Sequence, residues 1–281
     1  MRLKQLYFGF LMITFLSCAN PTIAVKPDAE KFKKEFPNQI VKIMGVHRNI
    51  QYAWAGDPFK RPLIFVHGSP GSWEGWSHFL LNEKLKAEYH ILVIDRPGYG
   101  GSSEGGTEPS LSKQADEVIS LMKTNKSGLA AVLVGHSYGG PVIARAAIDH
   151  AEQVAGLVFV ASSVSPELEE TKWYQYVASW WPIKYLIPNS LRVCNEEIMA
   201  LKAELQNMLP QWSKISSKVV IIQGMQDELV PHGNTDFLVA HLSPKIIVSS
   251  QKVPDLNHFV PWKRPELIEK GIENIRNVGN Q

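Results

Sequence analysis

Short, uninterrupted runs of apolar residues recur along the chain and are separated by stretches with helical periodicity. The runs lie at residues 62–66, 90–94, 130–134, 154–160, 218–222 and 245–248. Runs of this kind suit strands that are covered on both faces, as in a parallel sheet. The alternation of strands and helices predicts an α/β protein, with a mostly parallel central sheet and helices on both faces.

Two further strands are predicted before the first of these runs. Residues 40–46 and 50–55 flank the turn His47-Arg48-Asn49, which indicates an antiparallel hairpin. The preceding residues, 25–38, form a polar segment in which the pattern predicts no element.

The strand pattern is interrupted between residues 162 and 216. Helical periodicity is clearest there from 195 to 209, so we expect a helical cap at 162–216, inserted between core segments 25–161 and 217–281. The cap contains Trp173, Trp180, Trp181 and Trp212. Two roles are open for these side chains: they roof a site with apolar surface, or they pack the cap onto the core.

The first two dozen residues have the pattern of a secretory signal. A basic start at Arg2 and Lys4 precedes an uncharged apolar run over residues 6–16, which is short for a membrane span. We therefore expect residues 1–24 to be a signal peptide, with a retained N-terminal anchor helix as the alternative.

The position of cleavage decides where the mature protein resides. Phe15-Leu16-Ser17-Cys18 resembles a bacterial lipobox, in which the cysteine becomes the lipidated first residue. Ordinary cleavage after Ala19 or Ala24 is the alternative. We expect a periplasmic or membrane-anchored lipoprotein exported from a bacterial cytoplasm, with a secreted protein as the alternative. A lipid at Cys18 is the only membrane contact that the sequence predicts.

Composition and charge exclude several classes of function. The 281-residue chain is 44% hydrophobic and 20% charged, and its formal net charge of +2 is too small to predict a nucleic-acid partner. The only cysteines are Cys18 and Cys194, so no disulfide can form once Cys18 is lipidated or removed, and we expect Cys194 to be a buried or inert thiol. No zinc-type ligand spacing occurs, so no metal is predicted. The oligomeric state is left open.

One glycine-rich stretch invites comparison with nucleotide-binding loops. Gly98-Tyr99-Gly100-Gly101-Ser102-Ser103 lacks the third glycine of a dinucleotide-binding loop, because Ser103 stands in its place. The chain also has no phosphate-binding Gly-Lys-Ser/Thr loop. No cofactor is therefore expected.

Candidate chemistry lies directly after the predicted strand at 130–134. Gly135-His136-Ser137-Tyr138-Gly139 matches the pattern Gly-x-Ser-x-Gly and precedes a predicted helix. A turn from strand to helix is sharp, so the positions two before and two after the serine must lack bulk, and glycine meets that need. Ser137 is then held in a strained conformation with its Oγ exposed, which predicts a nucleophile.

Two titratable residues follow the last two predicted strands. Asp227 comes after the strand at 218–222, and His258 comes after the strand at 245–248. A serine hydroxyl needs a base to take its proton and an acid to orient that base. For a serine on a strand-to-helix turn of this kind, the partners follow in the chain order serine, acid, histidine. Asp227 is the predicted acid and His258 the predicted base.

Several other residues are weaker candidates for these roles. Four histidines adjoin the motifs or a late helix without following a late strand: His67, His136, His232 and His241. Glu228 and Asp255 are expected to be solvated loop charges. Asp95, in Asp-Arg-Pro-Gly-Tyr-Gly, is expected to brace a turn.

Two backbone amides are predicted to hold a developing oxyanion. Tyr138 opens the helix after the serine, so its amide is aimed at the reacting oxygen. The second donor is expected on the loop His67-Gly68-Ser69-Pro70-Gly71, after the strand at 62–66. Gly68 allows close backbone approach and Pro70 cannot donate, which favours the amide of Ser69. The alternative is a plain glycine-rich turn.

Taken together, these motifs resemble the α/β-hydrolase fold superfamily. The matching segments are His67-Gly68-Ser69-Pro70-Gly71-Ser72-Trp73, Asp95-Arg96-Pro97-Gly98-Tyr99-Gly100-Gly101-Ser102, Gly135-His136-Ser137-Tyr138-Gly139-Gly140, Gly224-x-x-Asp227-x-Leu229-Val230-Pro231 and Asn257-His258-Phe259. The resemblance extends from about residue 40 to the C-terminus, apart from the cap. It implies the α/β-hydrolase fold with a helical cap insertion, of the esterase- and lipase-like branch that uses a serine nucleophile.

The nucleophile narrows the activity that the resemblance implies. Epoxide hydrolases and haloalkane dehalogenases of this fold carry aspartate at the elbow, so Ser137 argues against both. The default is a serine hydrolase that cleaves a carboxylic ester of a small apolar substrate through an acyl-enzyme. C–C bond hydrolases, peptidases and cofactor-free haloperoxidases of the same fold remain open. A non-catalytic envelope binding protein is the alternative from another class.

Overall fold

Eight strands form a single sheet in the computed structural model, which describes residues 20–278. The strands are β1 (Ile40–Met44), β2 (Asn49–Gly56), β3 (Arg61–Val66), β4 (Tyr89–Ile94), β5 (Ala131–His136), β6 (Val154–Val160), β7 (Lys218–Gly224) and β8 (Ile247–Val253). Their order across the sheet is β1-β2-β4-β3-β5-β6-β7-β8. β2 pairs antiparallel with both β1 and β4, and every other pairing is parallel. The predicted hairpin and the mostly parallel sheet are confirmed.

Helices cover both faces of this sheet. They are α1 (Asn20–Glu35), α2 (Ser77–Leu80), α3 (Glu83–Glu88), α4 (Leu111–Ser120), α5 (Gly139–Asp149), α6 (Trp173–Ser179), α7 (Asn189–Met208), α8 (Gly233–His241), α9 (Val260–Lys263) and α10 (Pro265–Val278). Successive residues of β5 point to opposite faces. Leu133 packs in the layer of α5, with Ile143, whereas Val134 packs in the layer of α1 and α10, with Phe32 and Ile272.

The last strand begins and ends later than the apolar run at 245–248 predicts. β8 lies at the edge of the sheet, and it includes polar residues from Ser249 to Lys252. An edge strand has fewer covering neighbours, so its pattern alternates between half-buried and exposed residues. The uninterrupted apolar pattern therefore marks central strands and misses most of this one.

α1 was not predicted, because residues 25–38 contain few apolar side chains. Those few lie on one side of the helix: Ala29 and Phe32 are buried, and Phe36 packs beside them. The Phe32 ring centroid lies 5.8 Å from that of Trp73 and 5.3 Å from that of Phe36. The polar pattern of residues 25–38 therefore misses this helix, because three apolar residues that share a side are enough to dock it. Of the predicted signal peptide, residues 1–24, residues 1–19 with Cys18 lie outside the described residues, and residues 20–24 belong to α1.

Between β6 and β7 the chain forms helices and turns only, including α6 and α7. The second half of α7 joins the core, where Leu201, Leu205 and Met208 are buried. Cys194, in the first half of α7, is also buried. Within residues 20–278, no helix is long and apolar enough to cross a membrane.

Candidate active site

Ser137 occupies the turn between β5 and α5 in a backbone conformation that is rare for a residue with a side chain. Its φ is +54°, in the left-handed region, and its amide donates to the Val160 carbonyl at 3.0 Å. Such a conformation costs on the order of 1–3 kcal/mol and persists where the surroundings enforce it. The strained serine that the sequence predicts is therefore present, and Ser137 is half-buried.

The two glycines of the motif are required by close backbone approach. A Cβ at Gly135 would lie 2.5 Å from the Gly139 carbonyl oxygen, and a Cβ at Gly139 would lie 2.3 Å from the Val66 carbonyl oxygen. Both distances are far inside van der Waals contact, and both neighbours are backbone atoms that cannot move aside. The predicted steric reason for Gly-x-Ser-x-Gly is confirmed.

Asp227 and His258 are in direct contact, although 31 positions separate them in the chain. The Nδ1 of His258 lies 2.8 Å from Oδ2 of Asp227. The side chain of Asp227 is fully buried, and that of His258 is 8% exposed. Both follow the carboxyl ends of neighbouring strands, β7 and β8, which brings them to one edge of the sheet.

The carboxylate of Asp227 is held by donors on both oxygens. Oδ1 accepts from the amides of Leu229 at 2.9 Å and Val230 at 2.8 Å, and Oδ2 also accepts from Nε2 of Gln223 at 3.0 Å. Burial alone would raise the pKa of Asp227, but the His258 hydrogen bond and these amides lower it below its usual value. Asp227 is therefore charged at neutral pH and holds His258 with its Nδ1 protonated.

His136 joins the serine turn to the loop of His258. Its Nε2 lies 3.0 Å from the His258 carbonyl oxygen, and the centroids of the two rings are 4.6 Å apart. Burial lowers the pKa of His136 to about 3, so the ring is neutral and its Nε2 donates to that carbonyl. The contact places His258 against the residue that precedes Ser137.

The loop predicted to supply the second oxyanion donor packs against the serine. A Cβ at Gly68 would lie 2.9 Å from the Cβ of Ser137, so only glycine allows this approach. Ser69 is the next residue along the loop. On the other side, Tyr138 immediately precedes α5, where the first amides of a helix have no carbonyl partner within the helix. The structure thus brings the backbone of both predicted donors beside Ser137.

A buried ion pair holds this loop in place, and the sequence did not reveal it. Arg96 and Glu197 are both fully buried, with Nη1 of Arg96 2.6 Å from Oε1 of Glu197. Arg96 also donates from Nε to the His67 carbonyl at 2.8 Å, and from Nη2 to the Gly68 carbonyl at 2.9 Å and to Oγ of Ser69 at 2.7 Å. The Ser69 hydroxyl donates in turn to Glu197. Glu197 lies on α7, so a helix of the predicted cap and the loop that contains the predicted donor Ser69 share one polar cluster.

His67 belongs to this cluster as a structural residue rather than a base. Its Nε2 accepts from the amide of Arg96 at 3.0 Å, which leaves Nδ1 to donate to the Gly68 carbonyl at 2.7 Å. Burial lowers the pKa of His67 well below its usual value, and the neighbouring Arg96 cation lowers it further. The neutral ring therefore fixes the backbone of the loop.

The predicted bracing role of Asp95 is confirmed. This buried side chain accepts from the amides of Trp73 at 2.7 Å and Gly101 at 2.9 Å, and from Nε2 of Gln51 at 3.0 Å. It therefore ties three separate segments together. By contrast, Glu228 and Asp255, the other carboxylates considered for the acid, are exposed.

An open cleft of about 300 Å³ gives access to the candidate base. Its lining residues are Gln226, Glu228, Leu229, Asn257, His258 and Phe259. As a group, the cap tryptophans neither roof this cleft nor pack the cap onto the core. Trp212 is buried in the core, whereas Trp173, Trp180 and Trp181 are 65% to 69% exposed and do not line the cleft.

Comparison with known proteins agrees with this architecture. The family model described as alpha/beta hydrolase fold matches residues 61–185. The pimeloyl-[acyl-carrier protein] methyl ester esterase of Photorhabdus laumondii is 28% identical over 191 residues, which cover 65% of this chain and 67% of the esterase. The uncharacterized hydrolase YugF of Bacillus subtilis is 23% identical over 81% of this chain and 94% of its own length.

Among solved structures, the epoxide hydrolase CorEH superposes with a TM-score of 0.67 and is 16% identical in sequence, over 85% of this chain and 99% of its own. Identity this low shows the shared fold alone. With the sheet order, the glycine-flanked serine turn and the family match over residues 61–185, the chain has the α/β-hydrolase fold.

Proposed function

We propose that the protein is a serine hydrolase that cleaves a carboxylic ester of a small apolar substrate through an acyl-enzyme. The observation that carries the proposal is the strained Ser137 turn, joined through His136 to the buried His258–Asp227 pair. Serine, acid and histidine follow one another in the chain order that this fold uses for acyl transfer.

In the first half of the reaction, His258 accepts the proton of Ser137 at Nε2 while Oγ forms a bond to the ester carbonyl carbon. The carbonyl oxygen becomes an oxyanion, and the amides of Ser69 and Tyr138 donate to it. Asp227 keeps Nδ1 of His258 protonated, so that Nε2 is the nitrogen that accepts.

In the second half, the imidazolium of His258 gives its proton to the leaving alcohol as the ester C–O bond breaks, and Ser137 remains acylated. His258 then takes a proton from water, whose oxygen attacks the acyl carbon. Release of the acid returns the proton to Ser137.

The ester is favoured over other acyl bonds because the esterase of Photorhabdus laumondii is a relative over two thirds of its length. C–C bond hydrolases, peptidases and cofactor-free haloperoxidases would use the same three residues. The proposal also places the enzyme in a bacterial envelope, which is supported by the N-terminal signal pattern alone.

The test is the hydrolysis of p-nitrophenyl acetate by wild type and by Ser137→Ala. We expect the variant to keep about one thousandth of the wild-type kcat/KM or less, because the nucleophile is lost. A fluorophosphonate probe should label wild type but neither Ser137→Ala nor His258→Ala.

Ser103→Ala is the matched control, because Ser103 is an exposed serine outside the site, and it should retain wild-type rate and labelling. Wild-type activity in Ser137→Ala would refute the assignment of the nucleophile. A wild-type protein that is folded, unlabelled and inactive would favour the non-catalytic binding protein.

A further inference from the structure

The first part of the cap exposes an unusual amount of apolar surface. We call it the aromatic surface, and its residues are Trp173, Tyr176, Val177, Trp180, Trp181, Tyr185 and Leu186. Their exposed fractions range from 41% to 81%. Single exposed apolar residues are normal, but seven within 14 positions of the chain, rich in tryptophan and tyrosine, indicate an interaction site.

The helix that carries much of this surface is turned with its large apolar side outward. Trp173, Tyr176, Val177 and Trp180 follow the i, i+3, i+4, i+7 spacing of one side of α6 and its end. The side facing the protein carries the buried Gln175 and Ala178.

Polar contacts hold α6 against the rest of the cap. Nδ2 of Asn195 donates to the Gln175 carbonyl at 3.1 Å and to Oγ of Ser179 at 2.8 Å. The aromatic side chains are therefore not what fastens the helix, and packing onto the core does not explain them.

The charge of the same segment is entirely positive. Between Thr171 and Asn195 the chain contains Lys172, Lys184 and Arg192 and no Asp or Glu. Nζ of Lys184 lies 5.1 Å from the ring centroid of Tyr185, within the aromatic surface itself. Lys172 also contacts Glu170, but both side chains of that pair are more than half exposed, so the pair is weak.

We propose that the aromatic surface docks the protein onto an anionic lipid membrane. Tryptophan and tyrosine rings prefer the headgroup region, where one part of the ring is in an apolar layer and the other is hydrated. Lysine and arginine beside them are attracted to anionic headgroups. This contact is additional to any lipid at Cys18, and it does not depend on hydrolysis by Ser137.

Vesicle co-sedimentation tests the proposal with the full chain. Vesicles of phosphatidylcholine alone are compared with vesicles that also contain phosphatidylglycerol. We expect binding to the anionic vesicles, and the triple variant Trp173→Ser, Trp180→Ser, Trp181→Ser should bind them at least about tenfold more weakly, because it loses most of the inserted apolar area.

The matched control replaces apolar residues that are equally exposed elsewhere. Met44→Ser, Val46→Ser and Phe59→Ser, which are 54% to 67% exposed, should together leave vesicle binding unchanged. Every variant keeps the same N-terminus, so any contribution of residues 1–19 is equal in all of them. Ser137→Ala should bind as wild type does, which separates docking from the proposed hydrolysis.

The charge component is tested by Lys172→Gln and Lys184→Gln, with the exposed Lys34→Gln and Lys245→Gln as controls. Each cap lysine removed should weaken binding to phosphatidylglycerol vesicles by roughly fivefold, and added salt should weaken wild-type binding as well. Full retention of p-nitrophenyl acetate hydrolysis and of the circular dichroism spectrum shows that the variants are folded.

Two results would overturn the proposal. One is equal vesicle binding by wild type and by the triple tryptophan variant. The other is a wild-type protein that ignores vesicles but forms a dimer which the triple variant dissociates, since the aromatic surface would then be an interface between two copies of the chain.

Discussion

The carboxylate of Asp227 accepts hydrogen bonds from four donors, and this sets it apart from the acidic residues around it. Glu228 is its immediate neighbour and Asp255 precedes His258 by three positions, yet both are exposed. A buried, fully bonded carboxylate has one orientation, so it can hold the imidazole of His258 in one tautomer. Chain order pointed to Asp227, and the contact with His258 supplies the physical reason.

Asp227→Asn should therefore lower kcat for p-nitrophenyl acetate by a factor on the order of 10⁴. The asparagine amide presents an N–H to Nδ1 of His258, which stabilises the tautomer that carries its proton on the wrong nitrogen. Steady-state kinetics measures the effect, and Glu228→Gln and Asp255→Asn serve as controls with expected wild-type rates. A loss of less than tenfold in Asp227→Asn would rule out this residue as the acid.

At the scale of elements, the ion pair between Arg96 and Glu197 joins two segments that lie 101 positions apart. Arg96 follows β4, and Glu197 lies in the first half of α7. Through the carbonyls of His67 and Gly68, the pair also sets the position of the loop beside Ser137. The geometry of the candidate oxyanion site therefore depends on a residue of the cap.

Removal of one partner should leave the other charge buried without compensation. We expect Glu197→Met or Arg96→Met to lower the free energy of unfolding by about 3–5 kcal/mol, and the double variant to lose less than the sum of the two. Urea unfolding measures these values. Asp236→Asn, which breaks an exposed pair with Lys252, should cost at most about 1 kcal/mol. Strict additivity of the two buried changes would show that the pair is not coupled.

At the scale of the whole molecule, buried histidines make stability depend on pH. Burial lowers the pKa of His78 and His90 to about 4 and that of His136 to about 3, from 6.5 for an unperturbed imidazole. The unfolded chain takes up protons as the pH falls below 6.5, while these folded side chains do not, so their contribution to stability is complete above that pH. It is lost between about 6.5 and 4 for His78 and His90, and between about 6.5 and 3 for His136. Asp95 opposes this, because burial raises its pKa to about 6 and protonation then favours the folded state.

His90→Asn tests the effect at a position outside the candidate site. The asparagine keeps an acceptor for the side chain of Asn125, which lies 3.2 Å from Nδ1 of His90, but it cannot take up a proton. Below pH 6.5 the unfolding free energy of this variant should fall less steeply than that of wild type, by up to about 1.4 kcal/mol per pH unit. Urea unfolding at several pH values gives both slopes. Parallel curves from pH 8 to pH 4.5 would contradict a neutral, buried His90.

Local patterns alone were enough to predict the central sheet and the candidate site. Apolar runs reveal strands that are covered on both faces, and the serine turn is recognisable because glycine is needed on each side of Ser137. The order of Ser137, Asp227 and His258 follows from the strands before them. These signals are readable because each depends on neighbours within a few positions.

The tertiary structure decided what depends on distant partners. α1 docks through three apolar side chains, and their packing partner Trp73 is distant in sequence. Arg96 and Glu197 resemble ordinary charged residues in the sequence, and only the fold shows that they are buried together. The cap tryptophans are the clearest case. The spacing of Trp173 and Trp180 puts them on one side of α6 and its end, but only the packed structure shows that this side faces outward, because Gln175 and Ala178 occupy the inner one.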